Sequence, residues 1–265
     1  MGWLFTILPH HLISRIVFRL TRIKSSRVTP VIHWFIKTFK VDMSDAVIQD
    51  ISSFPTFNEF FVRTLELASP VDGTVSQSGD IMNDHLFQAK GHFYSVEDLL
   101  GGDALLAKLF EGGRFSTIYL APYNYHRIHM PITGRLKKMI HVPGRLFSVP
   151  QWTVRAIPRL FARNERVVCI FSTPSGPMAM ILVGAINVAA IETVWAGLVT
   201  PPKGKAISEY DYDHTEKDFA KGEEMGRFNM GSTVILLTTE KVEWSQFLKP
   251  GQTLKMGELI GQFKI

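Results

Sequence analysis

The chain has 265 residues, 46% of them hydrophobic and 20% charged, which suits one sizeable domain with an appendage and is too apolar for a disordered chain. Its one cysteine, Cys169, excludes an intrachain disulfide framework and fits a reducing compartment; within the apolar run Arg166–Phe171 it reads as a small buried hydrophobe rather than a nucleophile. The net charge of +5 belongs to the N-terminus: residues 1–40 carry seven Lys or Arg and no acid, which leaves 22 basic against 24 acidic residues elsewhere, so the charge points to a partner of that segment alone.

Within His11–Ile23 the apolar Leu12, Ile13, Ile16, Val17 and Leu20 recur at helical spacing, and Arg15, Arg19 and Arg22 share the other face. Val31, Ile32, Phe35, Ile36 and Phe39 repeat the pattern beside Lys37 and Lys40, and Trp3, Phe5 and Trp34 add aromatic bulk. A basic amphipathic segment of this kind is suited to the headgroup region of an anionic bilayer. The competing readings are a pair of helices packed on the core and an Arg-rich transit peptide. The longest strongly apolar run, Met178–Ile191, has 14 residues, short of the ~20 that cross a bilayer. No secretory signal is expected, since no basic residue precedes Trp3–Leu8 and no small-residue cleavage site follows.

Further along, Ser44 is expected to cap a helix to about Ile51, and Phe57–Phe61 reads as a short helical piece. From Pro70 the texture changes to short apolar or β-branched runs bounded by Gly, Pro, Asn and Asp: Gly73–Ser76, Phe115–Leu120, Leu136–His141, Arg166–Ser172, Ala179–Val188, Ile191–Trp195, Thr233–Thr238 and Glu258–Phe263. Ser95 with Asp98 predicts a capping box opening Val96–Leu100, followed by a helix over Ala104–Phe110. The expected fold class is α+β: a mostly antiparallel, barrel-like β core over 65–265, with an N-terminal helical membrane-contacting extension over 1–64.

Three groups of residues could carry chemistry. Met230-Gly231-Ser232-Thr233 stands before the run Val234–Leu237, and a glycine before a serine leaves an unhindered carbonyl that an internal hydroxyl could attack, although such a tripeptide is usually just a turn. Tyr125-His126-Arg127-Ile128-His129-Met130-Pro131 sets two histidines three apart; no third zinc ligand is evident, and no metal is expected. Ser69-Pro70-Val71-Asp72-Gly73-Thr74-Val75 contains an Asp-Gly that is ordinarily a turn.

Taken together, these three groups resemble the signature sites of the phosphatidylserine decarboxylases of the bacterial proenzyme type. The resemblance extends to Phe57–Phe61, Ala89–His92, Phe161–Arg166, Glu192–Gly197 and Gly222–Phe228; Met230 replaces the family's usual Leu, and the segment from Arg63 to Asp72 is short. It implies a zymogen in which His129 acts as base for Ser232 and Asp72 orients the imidazole. Ser232 would attack the Gly231 carbonyl, and elimination and hydrolysis would leave residues 1–231 (the β chain) and a 34-residue α chain, 232–265, headed by a pyruvoyl group made from Ser232. That group would form a Schiff base with the amine of phosphatidylserine and accept the electrons left by carbon dioxide. The resemblance also suggests His126 for decarboxylation or proton return, and Ser148 for the substrate head group.

The partners expected are the phospholipid, an anionic membrane surface and the cleaved α and β chains as a heterodimer, with higher oligomers open and no nucleic acid. Peripheral attachment to the cytoplasmic face of a bacterial cell membrane is expected, a mitochondrial inner membrane being the second choice. The alternatives are a Ser-His-Asp hydrolase that does not cut itself, a carrier-like β module modified at Lys255, and a membrane-binding relative without activity.

Overall fold

The computed structural model describes residues 10–25, 27–41, 43, 45–46, 48–61, 65–186, 190–200, 206–229, 233–239 and 242–263. The chain divides into two compact units, Met1–Leu65 with Lys264–Ile265, and Glu66–Phe263.

In the first unit the helical periods produce α1 (His10–Leu20) and α2 (Val28–Phe39), and the Phe-rich block gives α3 (Phe57–Phe61). Ile32, Phe54 and Phe60 form its buried centre, with Phe35, Ile36 and Phe57 packed against them. Outside this small core the helices expose Val17, Phe18, Leu20, Trp34 and Phe39. Arg22 lies 3.8 Å over the Phe18 ring, so cation and aromatic share one surface. No helix among the described residues is long and apolar enough to cross a membrane. Trp3 and Phe5 lie outside the described residues.

The helix expected from Ser44 to Ile51 does not form. Ala46 makes an isolated antiparallel bridge with Leu65, and Asp50 accepts from the Ser52 N–H at 3.0 Å, capping a single 3-10 turn over Ile51–Ser53. A residue bonded across to a strand cannot also serve an i→i−4 ladder. Ser44 itself lies outside the described residues.

From Leu65 the chain runs β1 (Leu65–Ala68), β2 (Gly73–Asp80), β3 (His85–Ala89), β4 (His92–Ser95), α4 (Val96–Leu99), α5 (Ala104–Lys108), β5 (Arg114–Tyr119), β6 (Arg127–His129), β7 (Gly134–Val142), α6 (Gln151–Ala156) and α7 (Leu160–Arg163). It continues with β8 (Arg166–Thr173), β9 (Gly176–Val183), β10 (Ile191–Thr193), β11 (Gly197–Thr200), β12 (Ser208–Asp211), β13 (Asp218–Phe219), β14 (Glu224–Phe228), β15 (Thr233–Thr238), β16 (Val242–Trp244), β17 (Thr253–Leu254) and β18 (Leu259–Phe263). The largest sheet is antiparallel, in the order β12-β7-β8-β9-β15-β5-β2-β17, with β13 also on β7. A four-stranded sheet β11-β10-β14-β6, a three-stranded sheet β1-β18-β16 and the β3-β4 hairpin complete the unit. The mostly antiparallel α+β expectation holds; the barrel-like part does not extend to a closed barrel, because β12 and β17 end the large sheet unpaired with each other among the described residues.

Burial explains the strand runs. All six residues of β15 and Arg166–Phe171 of β8 are buried, so these central strands read as continuous apolar stretches rather than as alternations. The run expected to reach Val188 stops at Val183. Ser95 caps α4 by accepting from the Asp98 N–H at 2.9 Å, but the Asp98 carboxylate binds Arg159 at 2.6 Å, so only half of the expected capping box is made.

Two buried polar side chains shape the region behind α6 and α7. Arg166 donates to the carbonyls of Leu99, Ala162, Asn164 and Asp98. Its burial lowers its pKa to about 10. The Asn164 amide accepts from the Phe147 N–H and donates to the carbonyls of Phe147 and Gly184, each at 2.9 Å, tying the segment before Ser148 to the end of β9.

Candidate active site

The turn Ser69–Asp72 precedes β2. It is bonded to the far end of the chain: the Ser69 N–H donates to Glu258 O at 2.7 Å and the Gly257 N–H to Ser69 O at 2.9 Å. Within that turn the Asp72 carboxylate accepts from the Met256 N–H at 2.9 Å and from Lys255 Nζ at 3.0 Å. Burial pushes the Asp72 carboxyl up, but the Met256 N–H and the Lys255 ammonium outweigh it and hold the group below the usual carboxylate range. Lys255, the modification site in the carrier-like reading, is thus the ion-pair partner of Asp72.

His129 ends β6. Its N–H donates to Pro70 O at 2.9 Å, which brings it beside the Asp72 turn. Its Nδ1 lies 2.8 Å from Gly222 O; a carbonyl can only accept, so Nδ1 donates and Nε2 is the ring nitrogen left for another partner. The Tyr125 hydroxyl sits 3.1 Å from Nε2, and the two rings stack with centroids 5.7 Å apart. The Asp72 carboxylate and the His129 imidazole are engaged elsewhere: Gly222 O holds Nδ1, and residues 255–256 hold the carboxylate.

His126 and Ser148, 22 positions apart, share a cavity of about 360 Å³ whose polar rim also includes Tyr119 and Asn229 and whose remaining wall includes Ala185 and Phe228. His126 Nδ1 donates to Asn124 O at 2.6 Å, while its Nε2 is buried with no hydrogen-bond partner among the described residues. An unpartnered acceptor beside a cavity is costly unless something in the cavity meets it. Met230, Gly231 and Ser232 lie outside the described residues. Before them Asn229 lines the cavity; after them Thr233 pairs in register with Tyr119, another lining residue.

Sequence reasoning missed several residues here. The Glu192 carboxylate accepts from Asn229 Nδ2 at 3.0 Å and from Arg227 Nε at 2.7 Å, and these bonds hold it below the usual carboxylate range. Gly226 is required beside it, since a Cβ there would lie 2.4 Å from Glu192 O. Glu192, Asn164 and Tyr125 all fall inside or beside motif blocks already singled out; the partners of Glu192 and Asn164 are far away in sequence and could not be read from it, whereas Tyr125 meets His129 four positions on, within one block.

A cavity lined by a histidine, a serine and Asn229, two residues before Gly231, defines a candidate binding pocket, and the Asp72 turn and His129 form a second polar group joined by the His129 N–H to Pro70 O. The phosphatidylserine decarboxylase family model matches residues 57–262, and a second family model, described as PSD, matches residues 2–40. The phosphatidylserine decarboxylase proenzyme of Ectopseudomonas mendocina is 48% identical over 276 residues, covering 98% of this chain and 96% of that protein. Those of Alkalilimnicola ehrlichii and Idiomarina loihiensis are 52% and 49% identical, covering 93% and 97% of this chain and 92% and 94% of theirs. The chain belongs to the phosphatidylserine decarboxylase family.

Proposed function

We propose that this chain is a self-processing decarboxylase of phosphatidylserine, cut between Gly231 and Ser232, with a pyruvoyl group made from Ser232. What supports the reading, beyond family membership, is that the chain reaches the cavity at Asn229 and leaves beside it at Thr233, so that a reactive group at 232 would adjoin His126 and Ser148. The unpartnered His126 Nε2 and the polar rim of an otherwise apolar cavity fit such a group.

In self-cleavage, His129 would take the Ser232 hydroxyl proton on Nε2, the nitrogen not engaged by Gly222 O. Asp72 would act from the adjoining turn, its carboxylate kept ionised by Lys255 and Met256. The Ser232 oxygen would attack the Gly231 carbonyl; the resulting ester would eliminate residues 1–231 as a carboxylate, and hydrolysis of the remaining dehydroalanine would release ammonia. A pyruvoyl at 232 supplies a ketone that condenses with an amine and draws off electrons during decarboxylation. His126 would hold and return the proton, and Ser148 would bind the head group.

The products, residues 1–231 and 232–265, would remain a heterodimer. The exposed apolar residues of α1 and α2, with Arg15 and Arg19 on α1 and Lys37 on α2, support contact with an anionic membrane, and we propose peripheral attachment at the cytoplasmic face of a bacterial cell membrane. An intact mass tests the central claim. It should give two fragments, the smaller of 34 residues without an N-terminal amine, whereas Ser232→Ala should give one chain of 30.0 kDa. Active protein consisting of a single uncut chain would refute it.

A further inference from the structure

We propose that the face of the Glu66–Phe263 unit around the cavity mouth docks on an anionic phospholipid bilayer, as an attachment additional to the basic N-terminal helices. The inference rests on reading the chain as acting on a lipid. Tyr123, Trp152 and Ile186 are 87%, 69% and 67% exposed. They come from three separate segments that converge on one opening: Pro122, Pro150 and Ile186 line the cavity, with Tyr123 next to the first and Trp152 in the first turn of the helix that Pro150 begins. Large side chains with one apolar and one polar end are favoured at a membrane–water boundary.

Charge selects the kind of bilayer. From Pro143 to Asn164 the chain has four arginines and no acidic residue. Arg159 is paired with Asp98, and Arg163 lies 4.8 Å over the Phe147 ring. Arg145 and Arg155 are exposed and form no ion pair among the described residues. Trp152 and Arg155 stand three apart on α6, so aromatic and cation present on one side of the helix. Cavity size gives the geometry: about 360 Å³ is at the small end of ligand sites and takes a head group rather than two acyl chains. The chains must therefore stay in the bilayer while the head group enters, which requires the mouth to meet the membrane.

Cys169 is fully buried, so in Tyr123→Cys a polarity-sensitive thiol label reports position 123 alone. Vesicles of phosphatidylcholine with phosphatidylglycerol, an anionic lipid that is not the substrate, make this readout independent of catalysis. The label should shift to the blue on vesicles and be quenched by nitroxide lipids in the bilayer. A label that stays aqueous on vesicles that pellet the protein would overturn the proposal. So would a blue shift without vesicles that accompanies a doubled mass in solution, since a second copy would then cover the face.

Trp152→Ala with Arg155→Gln should lower the rate on vesicle-borne phosphatidylserine, by about fivefold for the arginine alone and further for the tryptophan. The rate on a water-soluble short-chain phosphatidylserine should not change, and Trp152→Tyr should recover most of the loss. Equal losses on both substrates, or none on either, would refute the docking face. If the label embeds but no decarboxylation of any substrate is found, the docking face stands and the assigned reaction fails.

Discussion

Cleavage between Gly231 and Ser232 would leave a 34-residue piece whose strand β15 lies between β5 and β9, and the two pieces are expected to stay together. The residues at its centre, Val234 to Leu237, are fully buried, and Val242, Leu248, Leu254, Ile260 and Phe263 of the same piece are also buried. At ~1.5–3 kcal/mol for each such side chain, the gross apolar stabilisation lies in the range that holds permanent complexes. Leu236 measures this hold, because it sits opposite Ser116 on one side and Met180 on the other and both neighbouring strands limit collapse around it. Leu236→Ala should cost about 2–5 kcal/mol, which weakens association roughly thirtyfold to several thousandfold. The half-exposed Leu259 on β18 should cost about 0.5 kcal/mol when changed to Ala.

Urea titration of processed protein, with release of the small piece followed by gel filtration, reads both values. Wild-type protein should remain whole at nanomolar concentration without denaturant. Leu236→Ala should lower the release midpoint by about 1 M or more, given ~1–3 kcal/mol per molar urea. Separation of the wild-type pieces in plain buffer, or an unchanged midpoint for Leu236→Ala, would refute this account of what holds them.

Four further outcomes follow from the same geometry. Asn164→Ala removes three hydrogen bonds at a fully buried position and should destabilise the protein by about 2–4 kcal/mol, seen as a lowered Tm, with a raised KM if the Ser148 segment loosens. Lys255→Met removes a cation that lowers the Asp72 pKa, so Asp72 should titrate at higher pH. A depressed carboxylate contributes above its folded pKa and is lost as pH falls through it; the acid limb of the self-cleavage rate, followed by gel, should therefore move upward in the variant. Glu192→Ala frees Asn229, three residues before Ser232, and should slow self-cleavage about tenfold by misplacing the bond, while far-UV circular dichroism stays unchanged. Gly226→Ala drives a Cβ against Glu192 O and should cost ~1–3 kcal/mol in unfolding experiments.

The N-terminal helices and the central strands were legible because their periodicity and burial agree: β5, β8, β9 and β15 are apolar runs between turn residues. The β3-β4 hairpin was not, since its turn is Lys90-Gly91 with both residues at positive φ (46° and 79°), and lysine gives no turn signal of its own. Strand β12 is Ser-Glu-Tyr-Asp on the sheet edge, held partly by Glu209 pairing with Lys138, a pattern that looks like a solvated loop. In the site, the residue types of Asp72, His126, His129 and Ser148 could be singled out, but not that Asp72 is held from 183 positions away by Lys255. Nor could the sequence show that Asn164 ties the Ser148 segment to Gly184.

The position of the proposed cut has its own structural logic. Strand β14 belongs to the four-stranded sheet with β6, and β15 to the large sheet between β5 and β9, so the segment joining them passes from one sheet to another. A break there interrupts none of the described ladders, whereas a break within β14 or β15 would cut into a sheet. The two sides are then held independently: the first by β14 on β10 and β6 and by Asn229 on Glu192, the second by β15, β17 and β18. Because Lys255 and Met256 of the later piece hold Asp72 of the earlier one, the site would need both pieces after cleavage as much as before it. A backbone bond in such a crossing can be broken with the described ladders on both sides of it intact.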